Sequence, residues 1–245
     1  MKLWLVRHGE VDPPRPGVYY GGTEVPLSVE GETEAKRAAS VLSCEPVGAI
    51  ACSPLSRARW GAERVGEFHS EVPITQIDGF REVDRGNWVG LTPEEIESQY
   101  PGALEAHQDD LENWRGNEGE SMGDVRDRVL QARDALLNWL QEGGHPRTRP
   151  EGLLALGLTH GALAPEIPTV ADINSVEQSS GGGVAVVVAH LFPIRAILAD
   201  ALGKPLEEWK DIAIPTGSVS LVEYGAGGVA EVLEIGLKPD SEEAK

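Results

Sequence analysis

Apolar positions recur along this chain with two alternating periods. Residues 3–6 are a short apolar run of β-formers that closes at Gly9, and residues 47–52 are a second strand-like run leading into Ser53-Pro54, a helix-start signature. Between them Ser28 reads as an N-cap, with Gly31 and Glu32 in the first turn and Ala35, Ala38, Ala39 and Leu42 on one apolar face. Ala58, Ala62, Val65 and Phe68 mark the next helix, and residues 72–77 the third strand. Thr92-Pro93-Glu94-Glu95 opens a short helix, with Thr92 as cap, Pro93 at the first position and carboxylates against the positive end. Val125, Val129, Ala132, Leu136 and Leu140 hold helical spacing, so residues 122–140 form the longest predicted helix. The run 184–189 is nearly all Val and Ala, the pattern of a strand buried on both faces. A helix over 193–202 follows and stops at Gly203, with Lys204-Pro205 beyond. Two late strands, about 218–224 and 229–235, flank a glycine-rich turn and predict an antiparallel hairpin.

This β–α alternation predicts an α/β fold: a three-layer sandwich with a mostly parallel central sheet and helices on both faces. Residues 1–237 are read as a single domain, and 238–245 as a charged tail. Residues 143–183 break the alternation with Pro, Gly and Ser clusters and one apolar run, and are read as an insertion too long for a simple loop. Sheets of this kind bind ligands beyond the C-terminal strand ends. The residues just after Val6, Cys52, Ile77 and Ala189 are therefore expected to meet.

Composition narrows the function classes. The chain of 245 residues has 21 Lys+Arg against 40 Asp+Glu, a formal charge of −19. It thus lacks the basic footprint of a nucleic-acid or anionic-membrane binder. No apolar run approaches the ~20 residues that span a bilayer, and the N-terminal run reads as a strand rather than a signal peptide. Cys44 and Cys52 form no disulfide framework. A cytoplasmic protein, monomeric or homodimeric, is expected.

The chemistry gathers at the strand ends. The first delivers Arg7-His8-Gly9-Glu10, the second Arg57, the third the run Phe80-Arg81-Glu82-Val83-Asp84-Arg85-Gly86, and the 184–189 strand His190. Two histidines, two or more arginines and a carboxylate suit phosphoryl transfer to histidine. An imidazole nitrogen attacks phosphorus, guanidinium groups grip the oxygens, and a carboxyl group protonates the leaving oxygen.

At these residues the chain resembles the histidine phosphatase superfamily, the phosphoglycerate-mutase-like fold. The matching pieces are Arg7-His8-Gly9-Glu10, the segment 20–28, Ser53-Pro54-Leu55-Ser56-Arg57-Ala58, the segment 80–92, Gly119-Glu120-Ser121 and His190. The segment 20–28 is most similar to α-ribazole-phosphatase-like members, which makes ribazole phosphate one named candidate substrate. The resemblance implies that His8 is the nucleophile, that Arg7, Arg57 and His190 surround the phosphoryl group, and that Glu82 is the general acid and base. Glu10, Tyr20, Gly22 and Thr23 would border the substrate, and the amide of Leu191 would face it. No metal and no cofactor are implied, since the guanidinium groups and a protonated His190 would supply the positive charge.

One departure is Leu191, where the family usually has glycine; it can still donate its N–H if φ is negative. His160, in Thr159-His160-Gly161, has that glycine, but Pro165 and Pro168 follow in place of a helix, so His190 is favoured. Arg81 and Arg85 are read as surface or supporting residues, Trp88, Trp114 and Trp139 as packing, and His69, His107 and His145 as exposed. The expected function is hydrolysis of small phosphorylated metabolites through a phosphohistidine. The alternatives are a mutase, a phosphate-binding module without turnover, and a protein phosphohistidine phosphatase.

Overall fold

The structure, a computed structural model, describes residues 1–142, 183–225 and 229–239. The expected insertion up to residue 182, with His145 and His160, and most of the charged tail lie outside the described residues. Six strands form one sheet: β1 (Lys2–Arg7), β2 (Ala49–Cys52), β3 (Ile74–Gln76), β4 (Val184–Ala189), β5 (Val219–Tyr224) and β6 (Ala230–Leu237), in the order β3-β2-β4-β1-β5-β6. The first four run parallel. β5 joins β1 antiparallel, and β6 extends that edge as the expected hairpin.

Parallel neighbours need helical crossovers. These are α1 (Val29–Val41) and α2 (Ser56–Gly66), joined later in the chain by α3 (Pro93–Gln99), α4 (Ala103–Asp109), α5 (Met122–Gln141) and α6 (Leu191–Leu202). The two-residue period of the strands divides their side chains between two cores. Leu3, Leu5, Ala185 and Val187 pack with Val125, Val129 and Leu136 of α5 and Ile194 and Ile197 of α6. Trp4, Val6, Val186 and Val188 pack with Ala38 and Ala39 of α1 and Ala58, Ala62 and Val65 of α2. The three layers are those expected, and β4 is apolar throughout because all of its residues are buried between them.

The caps explain most helix starts. Ser28 accepts the Gly31 amide at 3.0 Å, and Thr92 and Ser121 form reciprocal capping boxes with Glu95 and Asp124. Three details differ from the sequence reading. α2 begins at Ser56 without a side-chain cap, because its N-cap residue is Leu55, which has no side-chain acceptor. Phe68 lies beyond the end of α2 and is half exposed. α4 was not anticipated, and it buries none of its residues fully. Among the described residues no helix is long and apolar enough to cross a membrane.

Candidate active site

The sheet brings β1, β2 and β4 side by side, so their C-terminal ends deliver Arg7-His8, Ser53 and His190 to one place. As β1 leaves the sheet it crosses the first turn of α1 so closely that a Cβ on Gly9 would stand 1.9 Å from the Gly31 carbonyl oxygen. Glycine is required there by contact, and that contact fixes the residue before it.

His8 is 2% exposed, and its Nδ1 lies 2.7 Å from the Gly9 carbonyl. A carbonyl only accepts, so Nδ1 carries the proton and Nε2 keeps its lone pair. Burial, then the charges of Arg57 and Arg7, push the His8 pKa down to about 3, which leaves the ring neutral. His190 is fully buried, with its ring centroid 5.0 Å from that of His8. Burial, then His8, Arg57 and Arg7, push its pKa well below the usual imidazole range. His190 is therefore held neutral beside His8, Arg57 and Arg7.

Ser53 was not singled out from the sequence as a site residue. Its hydroxyl accepts the Leu55 amide at 3.3 Å and lies 2.8 Å from Nε2 of His190. When this hydroxyl donates to Nε2, the His190 proton sits on Nδ1, the ring nitrogen without a partner among the described residues.

Arg57, in the first turn of α2, donates to the carbonyls of Thr23 and Gly21 at 2.7 and 2.9 Å, and its Cζ is 5.4 Å from the Tyr20 ring. Arg7 donates to the Ile214 carbonyl. Each keeps one buried nitrogen without a partner among the described residues: Nε of Arg7, Nε of Arg57, and likewise Nδ1 of His190. These three belong to groups that act electrostatically on one another; other buried polar atoms without a partner among the described residues, such as Trp4 Nε1 and Arg64 Nε, lie elsewhere.

Glu82 is 9% exposed and stands on the wall of a cavity of 840 Å³. Its loop is fixed from behind by residues whose role the sequence did not reveal. Arg128 of α5 donates to Glu120 at 2.6 and 2.9 Å, to the Gly79 and Arg81 carbonyls at 2.9 and 2.8 Å, and at 3.4 Å to the Glu82 carbonyl. Glu120 in turn accepts the Asp84 amide at 2.9 Å. This explains the Gly119-Glu120-Ser121 motif: Glu120 secures the loop, and Ser121 caps α5.

Of the residues expected to border the substrate, Tyr20 and Leu191 line the cavity, together with Arg7 and Glu82. Leu191 opens α6, and its φ is negative as its N–H requires, since Glu118 alone among described non-glycine residues has positive φ. Glu10, Gly22 and Thr23 are not among the residues that line the cavity, and neither are His8, Arg57 and His190, which lie behind its Arg7 and Glu82 wall. Glu10 is exposed and accepts the Ser28 hydroxyl at 2.7 Å. Gly22 donates its amide to the Val83 carbonyl at 2.9 Å, and Thr23 offers its carbonyl to Arg57. His107 corrects another expectation: it is half-buried edge-on to Trp88 and Trp114, at 5.5 and 5.3 Å between ring centroids, rather than exposed. Burial, then Arg85, lower its pKa to about 4.

The family model of the histidine phosphatase superfamily (branch 1) matches residues 3–146 and 169–235. Phosphoserine phosphatase 1 of Hydrogenobacter thermophilus is 33% identical over 222 residues, 91% of this chain and 86% of that protein. Glucosyl-3-phosphoglycerate phosphatase of Mycolicibacterium vanbaalenii is 32% identical over 208 residues, 85% of this chain and 77% of that protein. The match to the uncharacterized phosphatase PhoE of Bacillus subtilis, 34% identical over 108 residues, covers 44% of this chain and only 55% of that protein. The solved structure of the α-ribazole phosphatase from Shigella flexneri has the same fold, with a TM-score of 0.71 at 19% identity over 97% of each chain.

Proposed function

The chain belongs to the histidine phosphatase superfamily, branch 1, and from that premise we propose that it hydrolyses small phosphate monoesters through a phosphohistidine on His8. The observation that carries this reading is the state of His8: buried, neutral, with Nδ1 pinned to the Gly9 carbonyl and Nε2 available beside two guanidinium groups. Nε2 attacks phosphorus while the bond to the ester oxygen breaks. The oxygens of the transferring group then take up the unpaired donors of Arg7, Arg57 and His190, where charge is worth most because water is excluded. A phosphoryl dianion beside His190 also reverses the electrostatics that keep it neutral, so it gains proton affinity as substrate binds.

Glu82 gives its proton to the leaving alkoxide, then takes one from the water that cleaves the N–P bond of the phosphohistidine. Inorganic phosphate leaves and both residues return to their starting states. The charges on Arg7 and Arg57 repel a divalent cation from the two imidazoles, and they do electrostatically what a metal does in other phosphatases. We therefore include metal independence in the proposal. The relatives named above act, by their names, on chemically different small monoesters, phosphoserine and glucosyl-3-phosphoglycerate. They support a class of substrate rather than a single compound, with ribazole phosphate among the candidates.

The test is an initial-rate survey of small phosphate monoesters with His8→Ala as control. Turnover by the parent that is abolished in the variant supports the proposal. Phosphate binding without turnover supports a binding module instead, and transfer of the phosphoryl group to a second hydroxy acid supports a mutase.

A further inference from the structure

Arg85 is a buried cation that the chemistry above does not use. It is 6% exposed, yet among the described residues its guanidinium makes no hydrogen bond and no ion pair. Its contacts are with rings: its Cζ lies 5.1 Å from the Tyr19 ring and 4.9 Å from that of Phe192. Aromatic faces stabilise the charge, but they leave the planar fork of N–H donors without an acceptor.

The placement is imposed by the backbone. The Arg85 carbonyl accepts from Asn117 Nδ2 at 2.9 Å, and the Asn87 amide donates to the Asn117 carbonyl at 2.7 Å. Gly86 between them has φ +49°, and a Cβ there would stand 2.1 Å from the Asn117 carbonyl oxygen. The turn thus holds Arg85 against the cavity, whose wall also carries Glu82, Tyr19, Trp88 and Phe192. Tyr19 and Trp88 continue as a run of rings, 6.0 Å between centroids. The cavity volume of 840 Å³ is large enough for a drug-sized molecule, far more than a phosphoryl group needs.

We propose that Arg85 is the specificity residue of this site and receives a carboxylate carried by the leaving alcohol, whose flat apolar frame lies along Tyr19, Trp88 and Phe192. The proposal rests on the phosphomonoesterase reading and names its substrate class. A carboxylate is planar and singly charged, so it matches one guanidinium fork in shape and in charge. A second phosphate at the same place would leave excess negative charge facing Glu82 across the cavity.

The experiment compares kcat/KM for phenyl phosphate, meta- and para-carboxyphenyl phosphate and a phenylene bisphosphate, in the parent, Arg85→Gln and Arg85→Lys. The parent is expected to prefer the better carboxyphenyl isomer over phenyl phosphate by at least tenfold. That ratio falls to near one in Arg85→Gln and is partly kept in Arg85→Lys. A ratio near one in the parent for both isomers, or a ratio unchanged in Arg85→Gln, overturns the proposal. A bisphosphate that outranks both carboxyphenyl esters overturns the carboxylate assignment. The same preference is read without turnover from calorimetric affinities of phenylphosphonate and its carboxyphenyl analogues. A protein that binds with the preference and hydrolyses nothing therefore overturns the phosphatase reading alone, and equal affinities overturn the role of Arg85.

Discussion

Replacing Arg128 by methionine removes the brace behind Glu82 while keeping an apolar stem in its place. The guanidinium makes two short bonds to Glu120, at 2.6 and 2.9 Å, and two to the Gly79 and Arg81 carbonyls, at 2.9 and 2.8 Å. Hydrogen bonds to charged groups contribute about 1.5–3 kcal/mol each. The Arg128 side chain is 22% exposed and that of Glu120 26%, so solvent re-pairs part of what is lost. Glu120 also keeps the Asp84 amide at 2.9 Å. A net loss of about 3 kcal/mol is expected, which for a chain of this size lowers Tm by roughly 6–12 °C.

The catalytic consequence is more specific. A loosened 79–84 loop misplaces Glu82, and a misplacement of about 1 Å costs on the order of a hundredfold. That loss falls on substrates whose leaving oxygen must be protonated. The assay pairs urea unfolding with kcat/KM for p-nitrophenyl phosphate, whose leaving group departs as a stable anion, and for an alkyl phosphate. Arg128→Met is expected to lose at least tenfold more on the alkyl ester. An equal fall on both esters, or no fall beside a clear loss of stability, would refute the idea that this brace positions a general acid.

Ser53→Ala leaves Nε2 of a fully buried His190 without its hydroxyl partner at 2.8 Å. The bias toward the Nδ1-protonated tautomer loses about 1 kcal/mol, so kcat drops roughly fivefold with KM little changed, and imidazole nitrogen-15 shifts report the redistribution. The pKa of His8 is lowered on folding from 6.5 to about 3, so the unfolded chain takes up the proton first. The stability due to this group is complete above pH 6.5 and is lost as pH falls toward 3, by about 1.4 kcal/mol per pH unit. His190 acts in the same direction. Urea midpoints should therefore hold level down to about pH 6.5 and fall from there to pH 4, and a flat profile throughout would mean that the two imidazoles are not held neutral. Exhaustive dialysis against EDTA is expected to leave kcat/KM unchanged, and recovery of lost activity by added divalent ions would contradict metal independence.

Most of the fold was legible because its signals are local. The β4 run, the helical spacing of α5 and the caps Ser28 and Thr92 each depend on residues within one or two turns. The convergence of the candidate cluster was legible for a related reason: parallel strands carry their C-terminal residues to a common edge, so Arg7-His8, Arg57 and His190 are brought toward one place once the topology is read. What stayed hidden depends on contacts across the chain. Arg128 resembles any solvated arginine on α5 until its partners 46 to 49 residues away are seen. Ser53 sits in a pattern that reads equally well as a helix start, and only the pairing of β2 with β4 brings its hydroxyl to His190. Arg85 reads as a surface or supporting residue because its run is charged. Its burial comes from the Gly86 turn and from Phe192, more than a hundred residues later. His107 lies on a helix with no fully buried residue, and its contacts with Trp88 and Trp114 come from elsewhere in the chain.

The central claim is that His8 carries the phosphoryl group between substrate and water. Rapid acid-free quenching during turnover of a phosphate monoester, followed by peptide mass spectrometry at neutral or alkaline pH, tests it directly. The account predicts a phosphorylated peptide containing His8, with the phosphoryl group on Nε2, which forms and decays at rates that match turnover and is absent from His8→Ala. Sustained turnover in which no phosphohistidine forms, or in which the label appears on another residue, would contradict it.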